Sequence, residues 1–218
     1  MVRKNNQVQK FRNLYREKRI HITAMSCLGS FAMGSAKLAA GVLSASPLTC
    51  ANGFYSYGMT AAKGCIAVGM KKADTAKSQY QCYSLSGIIL FMAAIAYMVY
   101  SVKWIYFPTY TTYSPVAGIT IARFTFMEIG MNIRGIFTGI KENNLLLKGL
   151  KLINLSSSCI CLVLTQTALL SFATDSQVFI ANYKANGYMG IAMAVLSEAI
   201  AVFMILQGRK HIKKGEKQ

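Results

Sequence analysis

Six long apolar stretches, separated by loops that alternate between basic and nearly uncharged, dictate what this chain can become. A bilayer core takes about 20 apolar residues per helix, and each stretch meets that length. The predicted spans are 20–44, 47–70, 82–107, 115–140, 144–172 and 185–207. Breakers support the cuts: Ser-Ala-Ser-Pro at 44–47, Pro108 and Pro115 around the third connection, and Lys-Glu-Asn-Asn at 141–144. The expected fold class is an all-α integral membrane protein, a six-helix transmembrane bundle over 20–207. A basic N-terminal segment, 1–19, and a basic tail, 208–218, flank it.

Hydrophobic residues make up 54% of the 218 and charged residues 14%, too lopsided for a soluble domain, and six spans with short loops account for nearly the whole chain, so no separate soluble domain is expected. The formal charge of +17 would point to nucleic acid in a soluble protein. Here the positive residues sit in the tails and alternate loops, so they speak for topology and for anionic lipid headgroups, and no nucleic-acid partner is expected. The N-terminal segment carries Arg3, Lys4, Lys10, Arg12, Arg16, Lys18 and Arg19. Lys71, Lys72 and Lys77 occupy the second connection, Lys141 the fourth, and Arg209, Lys210, Lys213, Lys214 and Lys217 the tail. Connections one and three carry no charge, and connection five has Asp175 with Lys184 at its edge. Six crossings put every basic segment on one side, with both termini cytoplasmic in a plasma-membrane protein. The first apolar run continues into a hairpin rather than a cleavage site, so no signal peptide is expected. Trp104, Tyr106, Phe107, Tyr110 and Tyr113 fit an interfacial belt.

A second layer is a pair of polar stripes. In span 2, Asn52, Tyr55 and Met59 fall at i, i+3 and i+7, one face of a helix. Lys151, Asn154 and Ser158 repeat that spacing in span 5. Polar groups at mid-membrane depth are costly unless they face a partner or a water-filled cavity. The matched spacing predicts that the stripes face each other or a shared cleft; plain interhelical hydrogen bonding is the alternative.

The segment Lys37-Leu-Ala-Ala-Gly-Val-Leu-Ser-Ala-Ser46, followed by Leu48-Thr-Cys-Ala-Asn-Gly-Phe-Tyr-Ser-Tyr-Gly-Met59, resembles the first hairpin of cation diffusion facilitators. That family reads K-L-x-x-G-x-x-S-x-S and then A-D-x-x-H-S-x-x-D. The run Asn143 to Ser158 resembles the family's span 5, S-x-x-L-x-A-D-x-x-H-x-x-x-D. The resemblance covers residues of about 16–210 and implies a cation efflux fold, usually a homodimer, with a tetrahedral metal site between spans 2 and 5. The ligand positions, however, hold Tyr55, Met59, Asn154 and Ser158. None is a good Zn²⁺ ligand, because such sites use thiolate, imidazole or carboxylate. Asn52 and Lys151 replace the flanking family aspartates. An ammonium a few ångströms away repels a cation by several kcal/mol at an effective dielectric of about 20. Only about ten residues follow the last span, so the family's C-terminal cytoplasmic domain is not expected. No metal and no cofactor are therefore expected.

Among the ionisable residues inside the spans, Lys37, Lys63, Arg123, Glu128, Arg134 and Glu198 are the candidates for a charge network. Each is either a structural ion pair or part of a charge or proton relay. Lys63 and Glu198 lie about 10 and 13 Å from the cytoplasmic ends, at 1.5 Å per residue, which predicts a pair. Arg134, about 9 Å deep, competes for Glu198. Glu128 is near the midplane and needs a partner from another helix, with Lys37, or Arg123 from a neighbour, as candidates. The six cysteines read as small buried hydrophobes, with no CxxC pair. His21 stands at the very start of the first span and His211 beyond the last, at opposite ends of the chain, and no phosphate loop, HExxH motif or nucleophile–base set appears, so an enzyme is not expected. Two readings remain: a divergent transporter without the tetrahedral metal site and with an unknown cargo, or a non-transporting membrane scaffold that kept the fold.

Overall fold

The computed structural model describes residues 2–43, 45–72, 75–107, 115–137, 144–170 and 176–215. They form six helices: α1 (Val2–Leu43), α2 (Pro47–Lys72), α3 (Ala76–Tyr106), α4 (Pro115–Phe137), α5 (Leu145–Leu170) and α6 (Ser176–Gly215). No strand occurs among the described residues. Four segments are long and apolar enough to cross a membrane: Ile20–Leu43, Lys77–Tyr106, Leu145–Leu170 and Lys184–Ile212. The other two helices have the length, 26 residues in α2 and 23 in α4, but polar side chains dilute them. Asn52 and Lys63 lie in α2, and Arg123, Glu128 and Arg134 in α4. Met25, Leu28 and Phe31 of α1, Met92 and Val99 of α3, and Phe203 and Leu206 of α6 point outward. Apolar faces of that extent are costly in water and at ease in hydrocarbon. The architecture is compatible with an all-α membrane protein.

Several helices outrun their expected spans. The basic segment 1–19, expected as a unit of its own, is helical from Val2 and continuous with the first span. α6 reaches from Ser176 to Gly215, past both limits of 185–207, and α3 starts at Ala76 rather than 82. Hydropathy marks where lipid begins, whereas a helix runs on until a breaker or cap stops it. Thr75 supplies such a cap for α3, its hydroxyl accepting from the Ser78 N–H at 3.4 Å. Asn144 does the same for α5, with Oδ1 accepting from Leu146 N at 3.0 Å. Of the expected belt, Tyr106 and Phe107 are exposed, but Trp104 is buried against Tyr100. Tyr110, Tyr113, Lys141 and Asp175 lie outside the described residues.

The turn between α1 and α2 is tight for identifiable reasons. Ser46 N donates to Gly41 O at 2.8 Å and Ala45 N to Val42 O at 3.2 Å, the paired bonds of a Schellman ending. That ending needs a left-handed residue, and Ala45 takes it at φ 47°. Ser46 then caps α2, its hydroxyl accepting from Thr49 N at 3.4 Å, and Pro47 starts the helix where a missing N–H costs nothing. Gly41 lets the two helices close: a Cβ there would sit 2.6 Å from Cys50 Sγ and 2.7 Å from Cys50 N.

Around the bundle the order is α1, α2, α3, α6, α5, α4, with α2 and α5 also touching across the middle. Glycines let α3 and α6 approach, as at Gly208, where a Cβ would meet Ser84 Cβ at 2.9 Å. The shared apolar core joins Met59 and Ile66 of α2, Tyr83 and Leu90 of α3, Ile153 and Ile160 of α5, and Met204 of α6. α1 and α4, at the two ends of this order, have scarcely any backbone approach to one another.

The turn chemistry sets opposite expectations for two small substitutions. Ala45→Gly removes the left-handed Cβ clash and raises stability by about 1 kcal/mol. Gly41→Ala forces the hairpin apart and costs about 1–3 kcal/mol. Thermal unfolding of the purified variants in one detergent checks both. Equal midpoints for the pair would refute this account of the turn.

Candidate functional site

The α2 stripe does meet α5, but not through the α5 stripe. Tyr55 Oη lies 2.7 Å from Ser156 Oγ of α5 and 2.7 Å from Ser197 Oγ of α6, and the two serines are 2.5 Å apart. Three hydroxyls, each both donor and acceptor, close a ring that satisfies all three without water. Asn52 Nδ2 donates to Ile160 O at 3.2 Å, and Met59 is fully enclosed in the apolar core. The contact is packed and hydrogen-bonded, so the expected cleft between spans 2 and 5 is filled.

Helix geometry explains why the stripes do not face each other. At about 100° per residue, Asn154 and Ser158 lie about 200° round α5 from Ser156. Ser158 and Thr165, seven residues apart, share a face, and Thr165 Oγ1 donates to Thr125 Oγ1 of α4 at 2.8 Å. The Lys151–Asn154–Ser158 stripe thus looks toward α4. Ser158 Oγ turns back to Asn154 O at 3.2 Å. Lys151 Nζ and Asn154 Oδ1 are buried with no hydrogen-bond partner. Matched spacing gave the periodicity of both faces but not the rotation of α5.

The polar centre lies elsewhere, between α1, α2, α4 and α5. Lys37 Nζ is 2.7 Å from Glu128 Oε2, and both residues are buried. The ammonium also donates to Ser56 Oγ and Cys161 Sγ, each at 3.3 Å. Its three protons therefore meet three acceptors from three helices. Glu128 Oε1 accepts from Ser157 Oγ at 2.7 Å. Ser56 passes its own proton to Asn52 O at 2.9 Å, which ties the pair to the α2 stripe. Of the two partners weighed for Glu128, Lys37 is the one in place.

The remaining ionisable residues sit apart from that pair. Lys63 Nζ donates to Ser30 Oγ of α1 at 2.5 Å, so it points into the α1–α2 hairpin and not at α6. Glu198 Oε1 is buried with no hydrogen-bond partner, and the expected Lys63–Glu198 pair is not formed. α6 does not pack on α1, where Lys63 is held. Arg123 and Arg134 are exposed, about 140° and 120° round α4 from Glu128.

Sequence spacing missed the hydroxyls that complete both clusters: Ser56, Ser156, Ser157 and Ser197. Their one signal was adjacency. Ser156 and Ser157 precede a stripe residue, and Ser197 precedes Glu198. Among the described residues, no group of three or more His, Cys, Asp and Glu side chains could hold a metal ion. His211 stacks on Tyr80 with ring centroids 4.8 Å apart. No family model, no curated protein and no solved structure matches the chain.

The ion pair makes a sharp energetic prediction. Glu128→Leu leaves the Lys37 ammonium buried and unpaired, which costs about 3–5 kcal/mol. Adding Lys37→Met recovers most of that loss, because a well-packed apolar pair replaces a desolvated ionic one. A double-mutant cycle on thermal unfolding reads this. Additive losses would mean that the pair is uncoupled.

Proposed function

We propose that this chain is a six-span membrane transporter with both termini cytoplasmic, built around the Lys37–Glu128 centre rather than a cleft between α2 and α5. One observation carries the reading: a buried ion pair, saturated by Ser56, Cys161 and Ser157, bridges α1 and α4, which otherwise scarcely meet. Two charges withdrawn from water on a helix seam are expensive, and an intramembrane ionisable residue is a functional candidate by default. A separable pair at that seam can exchange a proton at the Glu128 carboxylate while α1 and α4 part. Motif resemblance to cation diffusion facilitators supports the transport class, and the loss of imidazole and carboxylate at Tyr55, Met59, Asn154 and Ser158 argues against a tetrahedral divalent metal as cargo.

The second reading is a non-transporting scaffold or accessory subunit. The filled α2–α5 contact favours it, because a close-packed hydroxyl ring leaves no central passage.

Flux in proteoliposomes separates the two. Purified protein is reconstituted with internal dyes for protons and divalent metals, and Zn²⁺, Mn²⁺, Co²⁺, Na⁺ and K⁺ are added outside in turn. The transporter reading expects saturable proton-coupled flux that Glu128→Gln lowers at least tenfold, with Zn²⁺ flux absent. Flux unchanged in Glu128→Gln removes the relay role, and silence from folded protein favours the scaffold. Tags on the two termini should both be protected from protease in sealed right-side-out vesicles. Cleavage of only one would exclude an even number of spans.

A further inference from the structure

A well-formed cavity lies away from the ion pair. It opens between the α1–α2 turn and α3, with a volume of about 660 Å³. Its origin is a wedge. α2 and α3 touch at Gly58, where a Cβ would lie 2.6 Å from Ala93 Cβ, and again at Gly69 against Cys82. Beyond Gly58, toward the turn, the facing residues are small: Cys50 and Ala51 on α2, Ala93 and Ala96 on α3. They cannot fill the space that the diverging helices leave. Tyr55 and Tyr97 floor it, their rings edge-on at 5.8 Å. Both floor tyrosines are buried.

Size and shape choose among occupants. From Pro47 to Tyr55 the slot runs about 12 Å along the helix axis. Its volume over that length gives a cross-section of about 55 Å², whereas one extended hydrocarbon chain, with carbon contacts at about 4 Å, needs roughly 16 Å². The slot is short and broad, suited to a ring system rather than to one chain. Its lining is overwhelmingly carbon, with aromatic faces from Phe54, Tyr55, Tyr97 and Tyr100 and hydroxyl-bearing Ser46 and Tyr100 toward the turn. Pockets of 300–1,000 Å³ with apolar walls and few polar groups are what drug-sized ligands occupy.

We propose that this slot binds a compact, lipid-soluble molecule with a flat ring system and one or two oxygens, of sterol or quinone chemistry, its polar end toward the α1–α2 turn. The site is separate from the Lys37–Glu128 centre, so either can stand without the other. Tyr55 connects them only indirectly: its ring floors the slot and its hydroxyl belongs to the α2–α5–α6 ring.

The chain carries one tryptophan, and it is well placed to report. Trp104 is one turn beyond Tyr100 on α3, with ring centroids 6.2 Å apart. Protein in nanodiscs of saturated phosphatidylcholine is titrated with decylubiquinone as a quencher, with dehydroergosterol as an energy acceptor, and with brominated-chain phosphatidylcholine as a chain probe. One ring probe should change Trp104 emission saturably, and which one does so assigns the sterol or quinone class. Ala96→Phe and Ala51→Leu, which fill the slot, should weaken the effect at least tenfold while circular dichroism stays unchanged. A response linear in probe content throughout, or saturation by brominated chains alone, overturns the proposal. Should both variants misfold, the shape of the wild-type titration decides by itself.

Discussion

The constraint on which the bundle turns is the cost of a lysine and a glutamate held away from water. Neither Lys37 nor Glu128 can be buried alone, and each reaches the other only if α1 and α4 are brought to one seam. The rest of the order follows from that demand. α2 folds back on α1 through the turn at Ala45–Ser46, and α5 is antiparallel to α4. Together they enclose the pair and supply Ser56, Ser157 and Cys161 as partners. Every charge-bearing atom of the pair then has company from a different helix, so its weight falls on which helices meet rather than on net stability.

A second fixed point lies deeper in the bundle. The hydroxyl ring of Tyr55, Ser156 and Ser197 locks α2, α5 and α6 in register, and Ile153, Ile160 and Met59 pack beside it. Polar contacts among hydroxyls in hydrocarbon add modestly to stability, but rotating any one helix out of the ring strips its own hydroxyl of both partners and leaves the other two with one bond between them. The two clusters divide the labour. One holds three helices together, and the other closes the seam at the ends of the helical order.

How much of this was legible depends on which physical signal carries it. Hydropathy located the four apolar spans, and Pro47, Thr75 and Asn144 are local signals with local consequences. Helix ends were less legible, since the Val2–Arg19 segment is polar enough to leave lipid yet holds nothing that stops a helix. Periodicity showed that Asn52 and Tyr55 share a face, as do Lys151 and Asn154, but two faces of equal spacing contain no statement of relative rotation. That is why Lys151 and Asn154 look toward α4, and why Tyr55 found Ser156. For Glu128, charge alone narrowed the search to a cation on another helix. The failure of the Lys63–Glu198 pair shows the limit: depth along the membrane normal can match while the helices stand apart in the plane.

α1 is a single helix of 42 residues, about 63 Å at 1.5 Å per residue, roughly twice the thickness of a hydrocarbon core. Lys37 rides near one end of that rod, and the strongly basic residues occupy the other. Because no break interrupts the helix between them, a tilt or twist imposed on the basic end is delivered, with leverage, to the seam where α1 meets α4.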